Sequence, residues 1–180
     1  MHNIRFERDK FRELLVYIAE RSADDPYFGD TKVNKALYWI DFFGYSNLGR
    51  PVTGAKYTKQ PRGPLASALL PVRDELVAEG AVQVEARQVG DFSARVTAAL
   101  RPADRSLFSA EELELADSII DQLKGRWAVT VSAASHQQSP GWNLVEMGDE
   151  IPYSTALISM EPVSDQTEER LRETAARFGW

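Results

Sequence analysis

Thr31-Lys32-Val33-Asn34-Lys35-Ala36-Leu37-Tyr38-Trp39-Ile40-Asp41-Phe42 is the stretch whose reading decides the fold. Val33, Leu37, Ile40 and Gly44 fall on one helical stripe, and Ala36, Trp39 and Phe43 fall on the next. Tyr38, Phe42 and Tyr45 widen the apolar face further. A helix apolar most of the way round is one surrounded by protein. Residues 31–46 are therefore expected to form the central helix of the core, with Lys32, Lys35 and Asp41 as its polar strip. Asp30 is placed to cap its start, and Asn47, Gly49 and Pro51 are placed to end it.

Working outward, residues 3–21 carry Phe11, Leu14, Leu15 and Ile18 at helical spacing, with Arg8, Arg12, Glu13 and Glu20 on the opposite side. Residues 22–29 read as a loop broken by Pro26 and Gly29. After the central helix, residues 52–57 turn extended. Gly63-Pro64 then opens a third helix through Leu65, Leu69, Val72 and Leu76 to Gly80, and Pro71 inside it implies a kink. Two alternating runs around Gly90-Asp91 predict an antiparallel hairpin. Ser109-Ala110-Glu111-Glu112 is a capping box for a helix through Leu113, Ala116, Ile120 and Leu123, closed by Gly125. A short helix over 130–137, a turn at Ser139-Pro140-Gly141 and a last helix over 164–178 complete the pattern. The expected class is mainly α (α+β): a compact single domain, 1–180, of about six helices with a small antiparallel sheet. The order helix, helix, extended piece, helix, hairpin is partly winged-helix-like.

Composition narrows the chemistry. A chain of 180 residues without cysteine holds no disulfide, no thiolate metal site and no cysteine nucleophile. Its apolar fraction of 43% is enough for an unaided core. No secretory leader and no span of ~18 apolar residues is evident, so a cytoplasmic protein is expected, with no membrane partner. The net charge of −6 disfavours general adhesion to nucleic acid. It is uneven, however: residues 1–90 carry 13 Lys/Arg against 12 Asp/Glu, and residues 91–180 carry 8 against 15. Lys32, Lys35, Arg50, Lys56, Lys59 and Arg62 are opposed between them only by Asp41, which reads either as a basic binding patch or as solvated lysines.

Catalytic signatures are absent. His136, in Ala134-Ser135-His136-Gln137, has no adjacent carboxylate to orient it and reads as a capping or core residue rather than a general base. Ser132, Ser135 and Ser139 lack a nucleophile elbow, and no phosphate-binding glycine loop occurs. His2 and His136 are too far apart in sequence to suggest a metal site. No enzyme activity, no metal and no cofactor are expected.

The stretch 31–42, followed by Gly49-Arg50-Pro51-Val52-Thr53-Gly54-Ala55-Lys56-Tyr57 and Arg62-Gly63-Pro64, resembles the Panacea domain of the SocA-like antitoxins of bacteria and their phages. That family shows a Lys-Leu-x-Lys-Leu-Leu-Tyr-x-x-Asp helix, a Gly-x-x-Ile-Thr-Gly-x-x-Tyr segment and a Gly-Pro. A later Ser/Thr-His precedes Pro or Ala and Trp, matched here by Ser135-His136, Pro140 and Trp142. Val33 and Ala36 stand where leucine is usual, and Val52 replaces isoleucine; all three exchanges remain apolar. The resemblance implies a mainly helical domain with a small sheet. It implies an antitoxin, with a role in phage defence, that binds and neutralises a cognate protein toxin. One member also delivers its toxin for proteolysis, so a protease or chaperone is a further implied partner.

The matching residues are Lys32, Asn34, Lys35, Tyr38, Asp41, Thr53, Gly54, Tyr57, Gly63, Pro64, His136 and Trp142. Thr53-Gly54 reads as a tight turn, and Gly63-Pro64 as the start of a helix. Asn34, Tyr38 and Asp41 share a helical face, expected to form a polar network with Tyr57 and His136 that ties the two halves together, or else a binding face. Tyr27, Phe28, Phe92, Trp142 and Trp180 are candidate interface anchors. The alternative reading is a winged-helix-like nucleic-acid-binding regulator. DNA is disfavoured there because Arg73 is the third helix's sole cation, beside Asp74, Glu75 and Glu79.

Overall fold

The central helix forms as its apolar surround requires. α2 (Asp30–Leu48) buries Val33, Ala36, Leu37 and Ile40, and packs against α1 (Arg8–Arg21) and four later elements of the chain. The computed structural model describes residues 4–89, 92–126, 139–158 and residue 170. The expected helix over 130–137 and, apart from residue 170, that over 164–178, together with His2, His136 and Trp180, lie outside the described residues. Within them the fold is α+β: five α-helices, two short 3-10 helices and two separate two-stranded antiparallel sheets.

α1 begins at Arg8, five residues later than the periodicity suggests, because residues 4–7 run extended and the Glu7 amide donates to the Thr53 carbonyl (2.8 Å). Phe11, Leu14, Leu15 and Ile18 are buried as expected. Glu13, expected on the solvent side, is buried instead. Its carboxylate takes both guanidinium nitrogens of Arg101 (2.6 and 2.8 Å) and the Asp104 amide (2.7 Å). The Arg101 bond holds the Glu13 carboxyl below the usual carboxylate range. Gly29, not Asp30, occupies the N-cap of α2; Asp30 is the first helical residue, and its side chain is drawn away to the guanidinium of Arg73 (2.6 Å).

The 52–57 segment is a loop rather than a strand. β1 (Tyr57–Gln60) starts at its end and pairs with β2 (Gly63–Ala66), Gln60 opposite Gly63 and Lys59 opposite Pro64. Gly63-Pro64 thus opens a strand, not a helix. α3 (Leu69–Ala78) starts five residues after Pro64 and buries Leu69, Val72 and Leu76. Pro71 is therefore in the first turn of α3, where its missing N–H breaks no helical bond, so no kink arises. β3 (Val82–Val89) and β4 (Phe92–Ala99) form the expected hairpin, with Val82 opposite Ala99.

α4 (Ala110–Leu123) carries the expected capping box: Glu112 N donates to Ser109 Oγ, and Ser109 N to the Glu112 carboxylate. Glu112 is also buried and held by Lys10 at 2.7 Å. Ser139 is the N-cap of a short helix, α5 (Pro140–Leu144), where a turn was expected. A Cβ on Gly141 would collide with Thr155 Oγ1, so glycine lets α5 lie directly on the 3-10 helix Tyr153–Leu157. Between them, residues 148–151 run along β1, with Ile151 N donating to Tyr57 O (2.8 Å) and Lys59 N to Asp149 O (2.9 Å).

Gly54 adopts φ +68°, and a Cβ there would collide with the Arg5 carbonyl oxygen. Both the left-handed backbone and the close approach demand glycine. Gly54→Ala is expected to cost about 2 kcal/mol or more, a drop of roughly 4–8 °C in Tm. A thermal melt within a degree of wild type would contradict this packing.

Candidate functional site

The expected polar network resolves into two distinct assemblies. The first is centred on Asp41, which has no exposed surface. Oδ1 accepts from the Thr53 amide (2.6 Å) and the Gly54 amide (3.4 Å); Oδ2 accepts from Thr53 Oγ1 (2.6 Å). The Tyr57 hydroxyl lies 2.7 Å from Oδ2 and 2.9 Å from the Leu37 carbonyl oxygen. Burial pushes the Asp41 carboxyl up, and the bonds from Thr53 and Tyr57 oppose that rise. The Tyr57 hydroxyl is pushed well above its ordinary value by burial and by the neighbouring Asp41. The loop over 49–56, between α2 and β1, is thus folded around one carboxylate. Tyr153, missed by sequence reasoning, closes the assembly: its hydroxyl donates to Ala55 O (2.6 Å), and its ring lies 4.6 Å from Phe42. No local spacing points to a contact partner about a hundred residues away.

Asn34 and Tyr38 do not join Asp41. Asn34 Nδ2 donates to the Asp30 carbonyl (3.1 Å), which leaves its buried Oδ1 without a partner. The Tyr38 hydroxyl meets Ser139 Oγ at 2.6 Å, and burial pushes it up to about 12. This bond, like the packing of Phe42 on Tyr153, joins α2 to the segment after 138; His136 lies outside the described residues. Trp142 continues the link: its indole N–H donates to Gln60 O (3.2 Å), and Lys59 Nζ lies 4.4 Å from its ring centroid.

The second assembly is a cavity of ≈ 330 Å³ between the first turns of α2 and the β1–β2 turn. Thr31, Asn34 and Lys35 form one wall; Gln60, Arg62 and Gly63 form the other. Lys35 is 1% exposed, and burial pushes its amine down to about 8. Arg62 is exposed and has no ion-pair partner among the described residues.

The expected basic patch is not a continuous surface. Lys32 is wholly buried, its ammonium on Asp25 Oδ2 (2.8 Å) and 5.4 Å from the Phe28 ring. Lys56 pairs with Glu150 (3.0 Å), and Arg50 reaches Glu112 (3.5 Å). Phe28, a candidate anchor, is core at 1% exposure; Trp142 is half-buried at the surface. Among the described residues, no group of three His, Cys, Asp or Glu side chains could hold a metal, and no helix is long and apolar enough to cross a membrane.

The fold is α+β, and its singled-out residues split between a buried clasp and a surface cavity. The family model described as antitoxin SocA-like, Panacea domain, matches residues 33–143, and the chain belongs to that family. No curated protein and no solved structure matches it.

Two outcomes test this division. Asp41→Ala strands three donors, the Thr53 and Gly54 amides and the Thr53 hydroxyl, and is expected to cost at least about 3 kcal/mol, lowering Tm by roughly 6–12 °C; an unchanged melt would contradict the clasp. Lys35 has a folded pKa of about 8, below its unfolded value of 10.5. Below pH 8 both states hold the proton and its burial penalty is carried in full; between about pH 8 and 10.5 the folded state sheds it first. Wild type should therefore gain stability relative to Lys35→Met across that window. Parallel stability curves for the two proteins would refute it.

Proposed function

We propose that this protein is the antitoxin of a bacterial or phage toxin–antitoxin system and neutralises a cognate protein toxin by direct binding. The observation that carries this reading is the family match over 33–143, a segment that includes the whole lining of the cavity beside Trp142 apart from Asp30 and Thr31 at the start of α2. It acts by binding and not by catalysis. Delivery of the bound toxin to a protease or chaperone is a further role for the same complex.

The winged-helix DNA-binding alternative is disfavoured by the surface of α3. Arg73, its one cation, is fully buried on Asp30, while Glu75 and Glu79 face Arg8 and Arg12 of α1. A helix with no exposed cation has nothing to place on phosphate.

Co-expression is the test. The product of the adjacent gene should arrest growth when expressed alone, growth should recover with this chain present, and the two should co-purify. No arrest, or arrest without rescue or a complex, would contradict the antitoxin reading.

A further inference from the structure

Three large apolar side chains stand in water on the unit built by α5 and the 3-10 helix Tyr153–Leu157. Leu144 is 64% exposed, Met147 56% and Leu157 65%, more than any other large apolar side chain among the described residues. Their backbone is fixed. α5 lies on the 3-10 helix across Gly141, so Leu144 and Leu157 end two elements that pack on each other. The turn that carries Met147 is tied to β1 on both sides: Lys59 Nζ donates to Val145 O (2.8 Å), and Gly148 N donates to Lys59 O (2.9 Å). Apolar groups held out on a fixed backbone mark a surface that another molecule covers. The family match stops at 143, immediately before Leu144.

The charge beside them has one sign. Glu146, Asp149 and Glu150 are exposed in the same short segment, and Lys56 pairs with the last of them (3.0 Å). The sequence is one-sided over a longer reach: residues 127–169 contain seven Asp and Glu and no Lys or Arg. A partner bringing acids to this surface would meet like charge at close range. One that sets Lys and Arg around apolar side chains would be steered in and held. Met147 adds a flexible, polarisable side chain of the kind that adapts to a partner's contours. The apolar groups supply contact area, and the acids decide which partner is accepted.

We infer that the surface carrying Leu144, Met147 and Leu157 docks a basic face of a protein partner, whose apolar side chains cover these three while its Lys and Arg side chains meet Glu146 and Asp149. That the partner is a toxin rests on the antitoxin reading; the sign of its charge and the place where it docks rest on this surface.

Two measurements test the docking surface. In the first, ¹⁵N-labelled full chain is titrated with an amphipathic helical peptide of Lys and Leu and, separately, with its Glu and Leu counterpart. Saturable shifts of the Leu144, Met147 and Leu157 amides with the Lys peptide, absent with the Glu peptide and lost in Leu144→Ser, are expected. No shift at these amides, shifts spread evenly over the chain, or equal shifts with both peptides overturns the inference. In the second, the affinity for the adjacent gene's product is measured. Leu144→Ser and Glu146→Lys, exposed changes that leave Tm unaltered, should each weaken that complex by about tenfold or more. Leu70→Ser, 50% exposed on α3, should leave it unchanged. Wild-type affinity should fall as salt is raised. Undiminished affinity in either of the first two variants, an equal loss in Leu70→Ser, or an affinity indifferent to salt overturns the inference. If that product fails to bind even the wild-type chain, the antitoxin reading falls, while the peptide titration still decides the surface.

Discussion

A single buried carboxylate organises the first half of this molecule. Asp41 sits on the central helix with no exposed surface, and a lone charge there would be prohibitively costly without partners. The loop that follows supplies them: the Thr53 amide and hydroxyl, the Gly54 amide and the Tyr57 hydroxyl. Because each donor satisfies the same group, the loop has one conformation that leaves nothing unpaired, and others leave several donors stranded. Consequences spread outward. Thr53 O captures the extended N-terminal segment through Glu7, Gly54 gives that segment room to pass, and Tyr57 begins the strand that builds the cavity's far wall.

A few charges are carried in the interior. Lys32 with Asp25, Arg73 with Asp30, Arg101 with Glu13 and Lys10 with Glu112 each join segments that are distant in sequence or flank a helix start. Such pairs add little net stability, but removing one partner costs about 3–5 kcal/mol, so they penalise misdocked arrangements heavily. Of the six cations of the basic run, Lys32 is taken up in this way, while Arg50 and Lys56 pair with Glu112 and Glu150.

How legible this was depended on whether a residue's fate was set locally. The central helix, the capping box at Ser109 and Glu112, the hairpin of β3 and β4 and the buried faces of α1 and α4 follow from period and capping, which act over a few residues. Asp41 with Tyr57 was also legible, since the chain between them is short. Glu13 was placed on the wrong side because its partner, Arg101, lies 88 residues away, and the same blindness hid Tyr153. Gly63-Pro64 illustrates a different limit. Pro opening a helix and Pro opening a short strand look alike, and the Trp142 indole that clamps this turn comes from the far end of the described chain. The cavity was invisible for that reason, although Asn34, Lys35, Gly63 and Pro64 had each been singled out.

The clasp around Asp41 has to be closed in the free protein for the chain between α2 and β1 to hold its one conformation. Amide hydrogen exchange of Thr53 and Gly54 tests this most directly. Both amides lie in a loop, yet both donate to a fully buried carboxylate. The account predicts exchange as slow as that of the core amides of α2, released only by global unfolding. Exchange at the rate of an open surface loop would contradict it.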